Sequence, residues 1–472
     1  MRQLYLAVAL PKITYGIDIW YSPPTKPAGY TRNTGSAGAL RNLQKIQRIA
    51  ALAITGALRT SPNDYVDAHA GILPIELALL KACHSALVRI LTLPSTNPVQ
   101  QIVERAKHRQ PKKHQGPIDK LLKLCAPEEP ETETIYPAIA LKSLSPRRII
   151  IKDKSREESI TSERADKADF KIFSDGSGQD DGIGASAVLY ENRSSRPLKS
   201  LQVLLGSPDK HNVYEAEAVG ALLALWILEN TPATVGKTVS LYIDNQALVT
   251  ALPHPKASSG QYLIDLLCTA INGTGCNLTI RWISGHSKTR GNEEADRLAK
   301  EAAAGWSSPR DRLPHALRRP LPISASALKQ TFMHKLKDRW TKEWEISPRK
   351  ARVDQFGDKF PFTAFIGRLN SLTRNQASLL IQIRCGHFPL NNYLHKIKKI
   401  NSNSCTQCSE DQEGPPETVH HFFFDCPAHE EARNQLTNKI GINHFTLKDI
   451  MAETNRMKAL TTFINKTGRL QS

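Results

Sequence analysis

Phe170-Lys-Ile-Phe-Ser-Asp175 is a short apolar run that ends in an acid, and Gly176-Ser-Gly178 turns the chain directly after it. Such runs, bounded by glycine, predict strands. Gly184-Ala-Ser-Ala-Val-Leu-Tyr190 predicts a second strand, and Leu198 to Leu205 a third. Asn212 to Glu229, rich in alanine and leucine, predicts a helix. Val239-Ser-Leu-Tyr-Ile-Asp244 is another strand ending in an acid, and Leu278-Thr-Ile-Arg-Trp-Ile283 is a further one, followed by Ser284-Gly-His286. A helix from about Asn292 to Ala304 closes the unit near Trp306. Hairpin-like strands followed by strand–helix alternation predict an α/β fold, a mixed five-stranded sheet flanked by helices.

The acids suggest a chemistry. Hydrolysing a phosphodiester without a covalent intermediate needs an activated water and neutralised charge on the leaving oxygen, which two magnesium ions about 3.5–4 Å apart can supply. Magnesium takes oxygen ligands, so several carboxylates must converge. Asp175 and Asp244 each end a strand, and strand ends of one sheet meet at one edge. Taken singly, either is an ordinary turn or cap residue.

Phe173-Ser-Asp-Gly-Ser177, Tyr214-Glu-Ala-Glu217, Tyr242-Ile-Asp-Asn245 and Trp282-Ile-Ser-Gly-His-Ser287, ending in Gly291-Asn-Glu-Glu-Ala-Asp-Arg-Leu-Ala299, together resemble type 1 ribonuclease H in order and spacing. The resemblance implies a nuclease that cuts the RNA strand of RNA–DNA hybrids, with two Mg2+ ions and Mn2+ as a substitute. Asp175 would sit between both metals and Glu217 would hold one. Asp244 would ligate metal and position the attacking water, and Asp296 would complete the set. His286 resembles the family's mobile histidine, and an imidazole titrating near neutrality suits proton transfer. Periodicity does not choose between Glu215 and Glu217, since both fall beside apolar helical positions; the family-like Ala-Glu favours Glu217. For Glu293, Glu294 and Asp296 the bland alternative is helix N-terminal acids favouring the dipole. The family's basic protrusion has no counterpart here, so Lys256, Arg281, Lys288, Arg290 or the flanking regions would grip the hybrid.

Outward from this unit the texture changes. At 472 residues the chain exceeds one ordinary core. Its 40% hydrophobic and 23% charged residues exclude a disordered or fibrous class. The net charge of +18 points to phosphate polyanions as partners. Residues 1–100 predict a helical region, with Leu40, Leu43, Ile46, Ala50, Ala51 and Ile54 at helical spacing. Met1 to Leu10 is superficially like a signal peptide but ends at Pro11-Lys12 and is assigned to the fold. Residues 101–165 read as a charged linker, with a basic run from Lys107 to His114 that serves as solvated chain or as a nuclear address, and an acidic run from Pro127 to Glu131. The nuclease unit spans 166–306, and 307–324 is a proline-rich linker. Residues 325–400 are helical, 401–430 carry cysteine and histidine, and 431–472 form a tail. No stretch is apolar for long enough to span a bilayer, so a membrane partner is not expected.

Eight cysteines are scattered, which suggests a reducing compartment. Cys405-Thr-Gln-Cys408, His421 and Cys426 give a Cys3His set of the kind that closes a structural Zn2+ site, with His420 as rival to His421. Phe422-Phe-Phe424 would supply a small core beside it. Reduced cysteines in an ordinary core are the bland alternative. This segment, with Arg384-Cys-Gly-His387 and Leu394, resembles the C-terminal region of LINE-type (non-LTR) retrotransposon polyproteins. Pro11-Lys-Ile-Thr-Tyr-Gly-Ile-Asp-Ile-Trp20 with Leu43-Gln-Lys-Ile-Gln-Arg48 resembles the segment after their polymerase palm. No paired-Asp polymerase turn precedes the nuclease, so copying of nucleic acid is not expected. An intracellular, nuclear setting is the expectation, with nucleic acid as partner. The rival is a non-catalytic nucleic-acid-binding remnant of the same element.

Overall fold

The apolar runs pair into one sheet whose order is β1-β6-β5-β2-β3-β4. The strands are β1 (Ile149–Ile151), β2 (Phe170–Gln179), β3 (Gly182–Glu191), β4 (Lys199–Gly206), β5 (Thr238–Ile243) and β6 (Asn277–Trp282). β2, β3 and β4 run antiparallel as a meander, while β2, β5, β6 and β1 are parallel neighbours. The structure is a computed structural model that describes residues 1–26, 35–107, 117–125, 131–137, 142, 144–145, 148–179, 181–192, 194–285, 289–408 and 414–470. His286, Lys288 and nearly all of the basic and acidic runs at 107–114 and 127–131 lie outside the described residues.

Helices cover both faces of the sheet: α1 (Arg156–Ala165), α2 (Val213–Glu229), α3 (Gln246–Ala251), α4 (Gln261–Gly273) and α5 (Arg290–Ala303). α2 is apolar on nearly every side and buried from Glu215 to Leu225, since it lies between the sheet and α4. It starts with a reciprocal cap: Asn212 Oδ1 accepts from the Glu215 N–H, and the Glu215 carboxylate accepts from the Asn212 N–H, both at 3.0 Å. α5 is amphipathic and buries Ala295, Leu298, Ala299 and Ala302. Ala295 and Leu298 join Phe173, Val188, Tyr190, Tyr242 and Ile283 in a core of their own on the face opposite α2. A strand with a core on each face needs apolar residues of both parities, which explains the near-continuous burial of β3.

The sheet has six strands, not five, and two segments read as linkers belong to this unit. Ile149-Ile-Ile151 pairs in parallel with Thr279 to Arg281 and occupies the β6 edge. Ahead of it, Arg148 donates to the carbonyls of Asn272 and Thr274. Glu133 accepts from Ser259 Oγ and from the Gly260 and Ala325 N–H groups, which lie at two helix starts. At the other edge Ser307 and Ser308 accept from the N–H groups of Leu204 and Gln202. Leu313 and Leu317 enter the main core. Low hydrophobicity suggested free chain in both places. Arg148, Glu133, Ser307 and Ser308 instead meet main-chain groups that are remote in sequence, and composition does not reveal such partners.

Residues 83–334 form one unit around this sheet, and residues 1–82 with 335–472 form the other. In the second unit the helix Ala37–Thr55 buries Leu40, Gln47, Ala51 and Thr55, while Ile46 is exposed, so the inward stripe is offset from the one that apolar spacing predicts. Arg384 is wholly buried: its guanidinium pairs with Asp358 and lies 4.0 Å over the Phe365 ring. The segment read as a tail carries the helices Glu430–Ile440, Leu447–Met451 and Thr454–Lys466. Its Phe463 packs 5.7 and 5.5 Å from Phe422 and Phe423. Among the described residues no single helix is long and apolar enough to cross a membrane.

Candidate metal centres

Register brings the two strand-ending acids together. Phe173 on β2 is the partner of Tyr242 on β5, and their rings stack with centroids 4.8 Å apart. Side chains alternate along a strand, so Asp175 and Asp244, two positions further on, continue that row where the β2–β5 pairing stops. β5 ends there, whereas β2 does not turn at Gly176 as expected but runs on against β3 to Gln179. Glu217 reaches the same point from α2. The helix can approach because Gly176 has no side chain: a Cβ there would lie 2.4 Å from the Glu217 nitrogen. Gly220 completes the junction, since its added Cβ would meet the Asp175 and Ser186 carbonyls at 2.9 and 3.0 Å. One oxygen from each of Asp175, Glu217 and Asp244 then lies within 4.8 Å of the others.

This arrangement is unfavourable without a cation. Burial pushes the Asp175 carboxyl up to about 8, with Asp244 and Asp296 adding to the shift. Glu217 is driven well above the carboxylate range by burial and by the charges of Asp244 and Asp175, and its buried Oε2 has no hydrogen-bond partner. An all-oxygen donor set with an orphaned buried oxygen fits a hard divalent ion. Glu215 is excluded from the group by its capping bond to the Asn212 N–H. Asp296 on α5 stands apart from the trio and is paired with Lys300 at 2.7 Å, though its charge still acts on Asp175. The structure thus joins three of the expected acids and leaves the fourth beside them.

Two positioning groups have no signature in sequence. The Trp282 indole N–H donates to the Asp244 carbonyl at 2.9 Å. Ser159, buried on α1, accepts from the Ser284 N–H at 3.2 Å and anchors the segment that leads to His286. Next along, Gly285 lies so close to Asp244 that an added Cβ would be 3.3 Å from its Oδ2. Ser159 therefore anchors the segment beside Asp244 Oδ2 from a stretch read as linker. Of the cations expected to grip a hybrid, Lys256 and Arg290 are exposed. Arg281 is instead engaged with Asp166 and Ser240, and its side chain is only 19% exposed.

With strand order, helix placement and acids established, comparison settles the kinship of this stretch. Residues 167–304 match the family model for RNase H. The chain therefore carries an RNase H domain there, with an RNase H-like fold. Three solved structures similar to the chain are an N-terminal RNase H domain from Mycobacterium tuberculosis fused to maltose binding protein, an RNase H1 in complex with RNA/DNA hybrid, and RNase H1 from the halophilic archaeon Halobacterium salinarum. They are 19%, 17% and 16% identical, with TM-scores of 0.24, 0.24 and 0.23. Each covers 29% of this chain, and 95%, 96% and 98% of its own length is matched. No curated protein matches the chain. The β1–α1 arm, with Ser159, lies before the matched RNase H residues.

The other unit holds the second group. Cys405, Cys408, His421 and Cys426 each offer one atom within 4.8 Å of the rest. Cys405 and Cys426 sulfurs are 3.9 Å apart, Cys408 and Cys426 sulfurs 3.6 Å, and Cys408 Sγ is 3.4 Å from His421 Nε2. A tetrahedral zinc at ordinary bond lengths holds two sulfurs about 3.8 Å apart and a sulfur and a nitrogen about 3.6 Å apart. The donor set fits that ion. Desolvation and the two neighbouring sulfurs push the Cys408 thiol up to about 12, so a cation is needed to keep it as thiolate. His420, the rival ligand, is exposed and paired with Asp425 at 2.8 Å.

Proposed function

We propose that the RNase H domain is a type 1 enzyme that hydrolyses the RNA strand of RNA–DNA hybrids, with Asp175, Glu217, Asp244 and Asp296 holding two Mg2+ ions. The carrying observation is the oxygen trio of Asp175, Glu217 and Asp244 on an edge where two strands and a helix meet. When bound, the two ions supply neutralisation of charge on the attacking and leaving oxygens. Asp175 and Glu217 are the buried members of the group and would hold an ion. Asp244, whose main-chain carbonyl accepts from the Trp282 indole, would help to position the attacking water. Cleavage forms a bond from water oxygen to phosphorus and breaks the bond to the 3′ oxygen, leaving a 5′-phosphate and a 3′-hydroxyl. His286 would carry the proton released in that step. Asp296, paired with Lys300, would be free to hold an ion only with that pairing released.

The same reading takes Cys405, Cys408, His421 and Cys426 as a structural Zn2+ site, and the whole chain as a piece of a retrotransposon polyprotein acting in the nucleus. The Asp296–Lys300 pair favours a second reading, a non-catalytic nucleic-acid-binding remnant, because it neutralises one expected ligand. The full chain with an end-labelled hybrid in magnesium decides between them. RNA cut and DNA left intact, with cutting lost on Asp244→Asn, supports the enzyme. An uncut hybrid from a folded protein supports the remnant.

A further inference from the structure

The unit formed by residues 1–82 and 335–472 contains an open cavity of about 560 Å³, lined by Arg349, Arg352, His387, Tyr393, Lys396 and Glu417 among others. Its charge is one-sided. The Glu417 carboxylate is fully engaged, at 2.6 and 2.7 Å from the Arg469 guanidinium and at 2.6 Å from the Asn391 N–H. Arg349 has only a long contact, 3.7 Å, with Asp64. Arg352 and Lys396 are exposed and make no hydrogen bond or ion pair among the described residues.

Arg352 is placed rather than free. Its Nη1 occupies the position where a side chain on residue 386 would stand: a Cβ on Gly386 would lie 1.5 Å from it. Gly386 ends the helix Arg374–Cys385 in the left-handed conformation, φ 70°, and leaves its backbone open for the guanidinium to rest against. The field of the cations converges inside the cavity, where burial and then Arg352, Lys396 and Arg349 hold the His387 imidazole below its usual titration range. His387 stacks on Tyr393 with ring centroids 4.8 Å apart, and both line the cavity.

We propose that this cavity binds a phosphate group of a single nucleic-acid strand, with Arg352 and Lys396 as the principal contacts and Arg349 as a third. Unpaired guanidinium and ammonium groups around a common space are the donors that phosphate oxygens take. At about 560 Å³ the cavity is of the size that takes one small-molecule-sized group such as a single nucleotide. Choosing nucleic acid among phosphate carriers rests on the RNase H reading of the other unit; the anion site itself does not.

The test uses the full chain and a fluorescent single-stranded DNA 12-mer, which is not a hybrid and is not cut, so it is independent of the nuclease reading. Anisotropy should show binding at low salt, about tenfold weaker in Arg352→Glu/Lys396→Glu. The slope of log affinity against log salt should fall by about 1.4, that is, about 0.7 for each of two lost phosphate contacts. Melting temperature and zinc content show that the variant is folded. A control, Lys342→Glu/Lys439→Glu, removes equal charge from exposed positions of the same unit and should change affinity less than threefold. Tighter binding of a 5′-phosphorylated strand than of a 5′-hydroxyl strand puts a terminal phosphate in the cavity, and equal binding puts an internal diester there; either upholds the site. Equal losses in the two variants, no loss in the first, or binding of phosphatidylserine vesicles with indifference to the oligonucleotide would overturn it.

Discussion

The two candidate metal centres are built in opposite ways. The Cys/His group draws its ligands from one short stretch, Cys405 to Cys426, and its sulfurs already sit at tetrahedral separations. The carboxylate group draws on two strands and a helix distant in sequence, and its oxygens are crowded and buried against their own charge. A closed soft site serves a fold, whereas an open hard site stores repulsion that a working ion relieves. On the proposed reading, folding and chemistry fall to different metals in different units.

The largest expected effects separate these roles. Asp244→Asn should lower hybrid cleavage on the order of a thousandfold, the several kcal/mol that charge stabilisation by a bound ion contributes, with little change in melting temperature. Cys408→Ser should do the reverse: the chain should lose about one zinc and the unit that holds it should melt earlier, by about 2–5 kcal/mol of stability, while cleavage by the folded RNase H domain persists. Metal analysis that finds no zinc in wild type, with Cys408→Ser melting normally, would erase the contrast.

A smaller effect sharpens it. Ser159→Ala removes the acceptor for the Ser284 N–H and loosens the segment against Asp244. The magnesium concentration for half-maximal cleavage should rise about 10–100-fold, the usual cost of losing an outer-shell support. Ser159→Thr, which keeps the hydroxyl, should restore it. A loss of melting temperature without a change in magnesium dependence would leave Ser159 as packing only.

The smallest effect is in stability against pH. Asp175 is raised from its ordinary value to about 8 and Glu217 is raised with it, so between about pH 4 and 8 the folded state holds more protons than the unfolded chain. Stability in magnesium-free buffer is then fully present below that window and lost as pH rises through it. Wild type should melt about 3–10 °C lower at pH 8 than at pH 5, equivalent to about 1–3 kcal/mol. Asp175→Asn should flatten the profile, and magnesium should restore wild type. Parallel profiles for wild type and Asp175→Asn would mean that the carboxylates do not carry the repulsion.

Much of the site was legible because its marks are local. An apolar run ending in Asp175, another ending in Asp244, and the spacing of Cys405, Cys408 and Cys426 are each visible within a few residues. Glu217 against Glu215 was not decidable by period, since a helix buried on nearly all sides gives every position apolar neighbours; the cap on Asn212 decided it. His421 against His420 was settled by burial and by the Asp425 contact. The arms at 131–165 and 307–324 were illegible because polar residues that satisfy distant backbone groups look the same in sequence as polar residues in water.

By itself, then, the sequence determined the main strands and helices of the nuclease-like stretch, the acids Asp175 and Asp244 and the three clustered cysteines, because alternation, helical period and motif spacing act over a few residues. Only the tertiary structure decided that Ile149 to Ile151 adds a sixth strand, that Asp296 pairs with Lys300, that Ser159 supports the Asp244 surroundings, and that Arg352 rests on Gly386. Those are contacts between segments far apart in the chain. Their energies depend on register, close backbone approach and burial, which exist only once the units have folded.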